Sequence, residues 1–276
     1  MEKRRIAVIF GGCSSEHEVS RLSAKCVIDN IPKEKYEIIL IGIDKAGRWF
    51  LTDSNTDDIA SGAWEQNPRN RVAFLSPDRS VGGLVALDGG HAWEIIKVDG
   101  VFPVLHGKNG EDGTIQGLFQ MAGIPFVGCG TLASAVCMDK AVTRALLTGA
   151  RIHQANYLWF FACNYAGEGV GKIKRKVEAR LGYPVFVKPA NAGSSVGVSK
   201  VESEAELDAA VAKAAHEDSK VVIEECIVGL EGECAVMGNE VPKASIVGEI
   251  APSADFYDYD DKYKNGISET VIPARL

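Results

Sequence analysis

The residues best suited to chemistry lie in VFVKPANAGSSVGVSK, at 185–200. Two apolar, β-branched runs flank a tip that holds Gly193, Ser194, Ser195 and Gly197, with Lys188 at its mouth. A turn rich in glycine and serine exposes backbone N–H groups and hydroxyls, and such groups attract phosphate oxygens. Lys188 adds a positive charge. An ordinary hairpin with a solvated lysine has the same composition, so this stretch alone leaves both readings open. Three other places carry reactive side chains. Glu16, His17 and Glu18 follow Gly11 and Gly12, where a carboxylate suits either a helix start or a ligand's ammonium group. His106 opens the glycine-rich run HGKNGEDG at 106–113. Glu224 and Glu225 end an apolar run at 220–223.

These side chains need strands and helices to hold them. Residues 6–10 form a continuous apolar run, as in a strand buried on both faces. After the two glycines, Ser15 and Glu18 have capping-box spacing, and Val19, Leu22 and Cys26 share one helical face. The full GxGxxG pattern is missing, so a dinucleotide fingerprint is not supported. A second strand at 36–43 suggests a parallel strand–helix–strand unit. Residues 52–90 read as a loop-rich insertion with short strands, anchored by Trp64 and Phe74. The strand at 100–105 runs into His106 and its glycines, the usual ligand crevice of an open α/β sheet. A helix at 114–122 and a short strand at 124–128 follow. One helix is expected over 131–150, with Lys140 inside it. Residues 151–171 look irregular, and Gly167 to Lys172 read as a surface turn, because the spacing is wrong for a phosphate-binding P-loop. A second capping box at Ser203 and Glu206 starts a helix reaching His216. Strands are expected at 220–223, within 229–237 and at 245–250, before a polar aromatic loop at 255–264.

The chain has 276 residues, 46% of them hydrophobic, and a net charge of -7. That length allows one large or two to three small domains, and the acidic balance argues against a general nucleic-acid binder. No membrane span or signal segment is expected from the short apolar run near the start. Seven cysteines lack any CxxC pair. Apolar neighbours suggest buried free thiols and a reducing, cytoplasmic setting.

Taken in order, FGGCSSEHEVS at 10–20, LHGKNGEDGTIQG at 105–117, CMDK at 137–140, VKPANAGSSVG at 187–197 and FYDYDDKY at 256–263 resemble the D-alanine–D-alanine ligases and their D-serine and D-lactate relatives, within the ATP-grasp superfamily. The resemblance covers nearly the whole chain. It implies an α/β ATP-grasp fold in three parts: an N-terminal Rossmann-like parallel-sheet domain at 1–136, a central subdomain with the phosphate loop at 137–219, and an incomplete C-terminal subdomain at 220–276. It implies that ATP phosphorylates the carboxylate of one D-alanine, and that the amine of a second attacks the acyl phosphate to give D-alanyl-D-alanine for peptidoglycan. Glu16 would hold the first ammonium, with Val19 and His106 nearby. Lys140, Lys188 and Lys262 would contact phosphates, and Gly193, Ser194, Ser195 and Val196 would close over them. Ser194 would pair with Glu16 and Tyr263. Glu224, Glu225 and Ile227 would hold the base, and Glu231 the ribose. Tyr263 would also bear on the second substrate, favouring D-alanine first and D-serine second.

The family pattern continues with an Arg-x-Asp strand and a Glu-x-Asn pair that ligate Mg2+, and neither is found here. No metal ligand is therefore assigned, and the chain reads as a fragment of a longer ligase. Glu65 and Asn67 have the second spacing but lie in an early polar loop. A homodimer is implied by the family. Two rivals remain: a catalytically silent nucleotide-binding module, and an ATP-grasp ligase for other substrates.

Overall fold

A computed structural model of the protein describes residues 3–87, 92–251 and 269–275. Its contacts divide the chain into two compact units, Met1–Ile152 with Ala190–Gly193, and His153–Pro189 with Ser194–Leu276.

The first unit is built on a seven-stranded sheet. Its strands are β1 (Arg4–Gly11), β2 (Tyr36–Ile43), β3 (Trp49–Thr52), β4 (Arg71–Leu75), β5 (Gly83–Leu87), β6 (Trp93–Lys97) and β7 (Gly100–Leu105), in the order β6-β5-β4-β3-β2-β1-β7. β1 runs parallel to both β2 and β7. The remaining pairs are antiparallel. A strand flanked on both sides must be apolar on both faces. Ala7 and Ile9 enter one cluster with Ile41, Leu84 and Phe119, whereas Val8 and Phe10 enter another with Ala24, Ile59 and Trp64. Helix α1 (His17–Asn30) supplies Ala24 and Ile28 to the second cluster. Register matters most for function. Gly11 lies opposite Leu105, so the turns after β1 and β7 leave the sheet side by side.

The stretch expected to be a loop-rich insertion with short strands has that character, but its strands join the main sheet. β3 to β6 extend the parallel core, interrupted by the short helix α2 (Thr56–Ser61). Trp64 is a fully buried anchor, meeting Phe10 edge to face at 5.2 Å. Phe74 is not an anchor: it is exposed and pairs with Trp93 on the surface. Helix α3 (Thr114–Ala122) forms as expected, but residues 124–128 contribute only a single bridge, from Phe126 to Val101.

The single helix expected over 131–150 is two, α4 (Thr131–Met138) and α5 (Lys140–Gly149). Asp139 breaks it, because its side chain accepts from the N–H groups of Ala141 and Val142 and caps α5. The first predicted capping box also fails. Glu16, not Ser15, is the N-cap of α1, with no side-chain cap.

In the second unit, β8 (Tyr157–Phe161), β9 (Val185–Pro189), β10 (Ser199–Val201) and β11 (Lys220–Glu225) form an antiparallel sheet ordered β10-β9-β11-β8. Helices α6 (Glu168–Arg180) and α7 (Glu204–Glu217) bury Val177, Leu207 and Val211 with Val185, Val187, Val221 and Ile223. The expected surface turn at Gly167 to Lys172 is thus the first turns of α6. Ser203 is the N-cap of α7 as expected, but Glu206 reaches the N–H of Glu202. Further on lie β12 (Glu231–Glu233), β13 (Val236–Met237), β14 (Lys243–Ala244), β15 (Gly248–Ala251) and β16 (Glu269–Val271), with β15 between β12 and β16. Arg275 grips the buried Glu249 through both carboxylate oxygens, at 2.9 and 2.7 Å, and this hydrogen bonding holds the Glu249 carboxyl below its usual range.

The cysteines correct another expectation. All are free, but every one except the half-buried Cys226 is exposed. No helix among the described residues is long and apolar enough to cross a membrane.

Gly42 in β2 explains how Trp64 fits. A Cβ at Gly42 would collide with the indole ring. Gly42→Ala is expected to lower unfolding free energy by about 1–3 kcal/mol through overpacking. Denaturant unfolding followed by Trp fluorescence measures it, and an unchanged midpoint would contradict this packing.

Candidate active site

In the first unit the site grows from the two adjacent turns. Ser20, buried in α1, accepts from the N–H of Gly11 at 2.8 Å and donates to the carbonyl of Val104. One hydroxyl therefore ties the helix to β1 and β7. Ser14 Oγ donates to His106 O at 2.7 Å and accepts from Glu16 N at 3.2 Å, joining the two turns directly. His17 is 1% exposed, and its Nδ1 donates to Gly12 O at 2.7 Å. Its Nε2 lies 3.5 Å from Glu65 Oε1.

These bonds fix Glu16 with only 3% of its surface exposed. Gly107 (φ 67°) leaves the space its carboxylate occupies, since a Cβ there would strike Glu16. Gly193, at the root of the serine–glycine loop, also abuts it: a Cβ at that position would lie 3.1 Å from Glu16 Oε2. His106 is held through Nε2, 3.0 Å from Ser23 Oγ. Glu111 Oε2 accepts from Gly107 N at 2.7 Å. Glu16, His106 and Glu111 each bring one donor atom within 4.8 Å of the others. Val19 is buried in α1.

Lys140 is the first residue of α5, so the Asp139 cap sets its direction. Its Nζ donates to Ala192 O at 2.5 Å, and its backbone N–H to Ala190 O at 3.1 Å. It is therefore bonded to the segment that leads into the serine–glycine loop, not left on a solvated helix face.

In the second unit, Lys188 and Glu224 form an ion pair. Register explains this. Lys188 lies opposite Val222, and Glu224 opposite Phe186, so the two are diagonal neighbours on one face. Glu224 is 8% exposed at its side chain and Lys188 24%. Lys188 Nζ also sits 5.3 Å from the Phe186 ring centroid. Ser194 (φ 47°) and Ser195 (φ 59°) hold left-handed backbone conformations, rare for residues with a Cβ and suited to presenting successive N–H groups to an anion. Val196 is half-buried beside them. Glu225 is clamped by the Asn156 backbone N–H at 2.7 Å, which pulls its carboxyl below the usual range. Ile227 and Glu231 are exposed. Lys262 and Tyr263 lie outside the described residues.

Sequence reasoning did not single out Ser14, Ser20 or Glu111. Ser20 follows Glu16 by one helical turn, a spacing that places it inward. Glu111 gives no such signal, because only the folding of the 106–111 turn brings it back.

The amino-terminal model of the D-ala D-ala ligases matches residues 5–129, and the carboxy-terminal model matches 146–276. A D-alanine–D-alanine ligase of Acetivibrio thermocellus is 49% identical, matching 100% of this chain and 76% of its own length. The chain belongs to the D-alanine–D-alanine ligase family. A family member from Caldicellulosiruptor bescii is 48% identical over 100% of this chain and 74% of its own. Among solved structures, the VanG D-Ala:D-Ser ligase of Enterococcus faecalis is 43% identical with a TM-score of 0.85, covering 100% of this chain and 78% of that one. The D-alanine–D-alanine ligase of Coxiella burnetii is 33% identical with a TM-score of 0.79, covering 90% and 71%. The fold is thus the ATP-grasp fold of this family.

The Lys188–Glu224 pair makes a testable demand. Lys188→Met leaves a buried carboxylate without its cation and is expected to cost about 1–3 kcal/mol. Glu224→Gln in the same chain should restore most of that loss. A double-mutant cycle by denaturant unfolding measures the coupling, and strictly additive losses would contradict the pair.

Proposed function

We propose that the protein joins two D-alanines into D-alanyl-D-alanine at the expense of ATP, the dipeptide serving peptidoglycan precursor synthesis. The observation that carries this is Glu16: a buried carboxylate beside His106 and against Gly107 and Gly193, a shape and charge that suit a small ammonium group with little room for a side chain. The names of the similar ligases support the same reaction.

Each step needs charge held in place more than it needs a protein nucleophile. Glu16 binds the ammonium of the first D-alanine and orients its carboxylate, whose oxygen attacks the γ-phosphorus of ATP while ADP leaves. The second D-alanine, as a free amine, then attacks the acyl carbon. The C–N bond forms, the C–O bond to phosphate breaks, and the amine's proton is released. Lys140, Lys188 and Lys262 offset phosphate charge, and the N–H groups of Gly193, Ser194, Ser195 and Val196 bind phosphate oxygens. Lys188 exchanges Glu224 for phosphate when ATP binds, and Glu224 turns to the adenine amino group. Glu225 and Ile227 line the base, Glu231 takes the ribose hydroxyls, and Val19 backs the first substrate. Tyr263 borders the second amino acid and, with Ser194, closes the site.

Mg2+ requires oxygen ligands beside the phosphates. Glu224 and Glu225 are engaged by Lys188 and Asn156, so these two carboxylates do not fit it and no step here passes through the metal. From the family likeness we also infer a division at 136 and 219, a homodimer and a cytoplasmic setting.

The similarity to the VanG ligase favours a second reading, with D-serine as the second substrate. Phosphate release with ATP and D-alanine, alone and with D-serine, D-lactate or L-alanine as acceptor, decides. Turnover with D-alanine alone, not raised by the others, is expected. Faster turnover on adding D-serine would favour the second reading. ATP binding without phosphate release for any acceptor would overturn both.

A further inference from the structure

We propose that Glu16, His106 and Glu111 form a binding site for a divalent transition metal of the zinc type, and that the metal excludes the first D-alanine. The inference rests, in its second half, on the reading of Glu16 as the ammonium site. One imidazole nitrogen and two carboxylate oxygens converge within 4.8 Å of one another. Tetrahedral zinc with such ligands needs them about 3.4 Å apart, from metal–ligand distances of about 2.0–2.2 Å. The cluster must therefore contract by up to about 1.4 Å, a movement for which the exposed Glu111 side chain has room. Imidazole with carboxylates selects zinc, cobalt and their neighbours, whereas Mg2+ prefers an all-oxygen octahedron.

The surroundings resemble a metal's outer shell. Ser23 Oγ bonds His106 Nε2 at 3.0 Å, fixing the ring. The Gly107 N–H bonds Glu111 Oε2 at 2.7 Å, holding that carboxylate at the turn beside His106. Glu16 is 3% exposed, so a cation there gains a carboxylate already stripped of most of its water. Three protein ligands also leave a coordination position for water, the pattern of open zinc sites. An ammonium group on Glu16 and a metal on the same carboxylate occupy one volume, so binding is mutually exclusive.

Chelator-treated, nucleotide-free protein titrated with Co2+, then with Zn2+, tests this by visible absorption. The exposed cysteines are competing ligands, and thiolate-to-cobalt charge transfer in the near ultraviolet marks them. The expected result is a d–d spectrum without that band, displaced by Zn2+, weakened about 10- to 100-fold in Glu111→Gln, and displaced by D-alanine. Equal cobalt affinity in wild type and E111Q, or a signal that is wholly thiolate in character, would overturn the metal site. Cobalt bound through Glu111 but indifferent to D-alanine would overturn the exclusion. Phosphate release from ATP and D-alanine by the same preparation, assayed without transition metal, separates these outcomes from failure of the ligase reading itself.

Discussion

A carboxylate taken out of water needs either donors or a cation, and the cost of leaving it without them is several kcal/mol. Glu16 is that group in the first unit, and much of the surrounding structure can be understood as holding it in place. Parallel pairing of β1 with β7 puts two turns next to each other. Ser20 locks α1 to both strands, Ser14 joins the turns, and His17 pins the Gly12 carbonyl. Gly107 leaves the volume that the carboxylate fills. Each contact is ordinary. Together they leave Glu16 few other orientations, which is the positioning that a reaction without a protein nucleophile requires.

The second unit solves a related problem by a different route. Lys188 and Glu224 are drawn together by strand register into an ion pair. In the reaction proposed above, a nucleotide offers both of them new partners, phosphate for the ammonium and an amino group for the carboxylate. The left-handed Ser194 and Ser195 are the strained part of this unit, and strain of that kind is found where the backbone itself must bind.

Much of this was legible in the sequence. Apolar runs with turn glycines located β1, β2, β7, β9 and β11, and with them Glu16, His106, Lys188 and Glu224. Short strands were expected between 52 and 90 but could not be placed, because four- and five-residue strands broken by a helical turn carry almost no periodic signal. Asp139 was read through, since an N-cap inside a helical pattern looks like one more polar position. Cysteine burial was misjudged because apolar neighbours in sequence are not neighbours in space. The Lys188–Glu224 pair and the return of Glu111 to Gly107 depend on register and on turn closure, which residue types do not encode locally.

The central claim is that Glu16 reads the ammonium of the first D-alanine. Glu16→Gln keeps the shape and removes the charge. Calorimetric titration should show D-alanine affinity falling about 10- to 150-fold, the worth of a hydrogen bond to a charged group, with the affinity for a non-hydrolysable ATP analogue unchanged. D-alanine binding as tight as that of the unaltered protein would contradict the account.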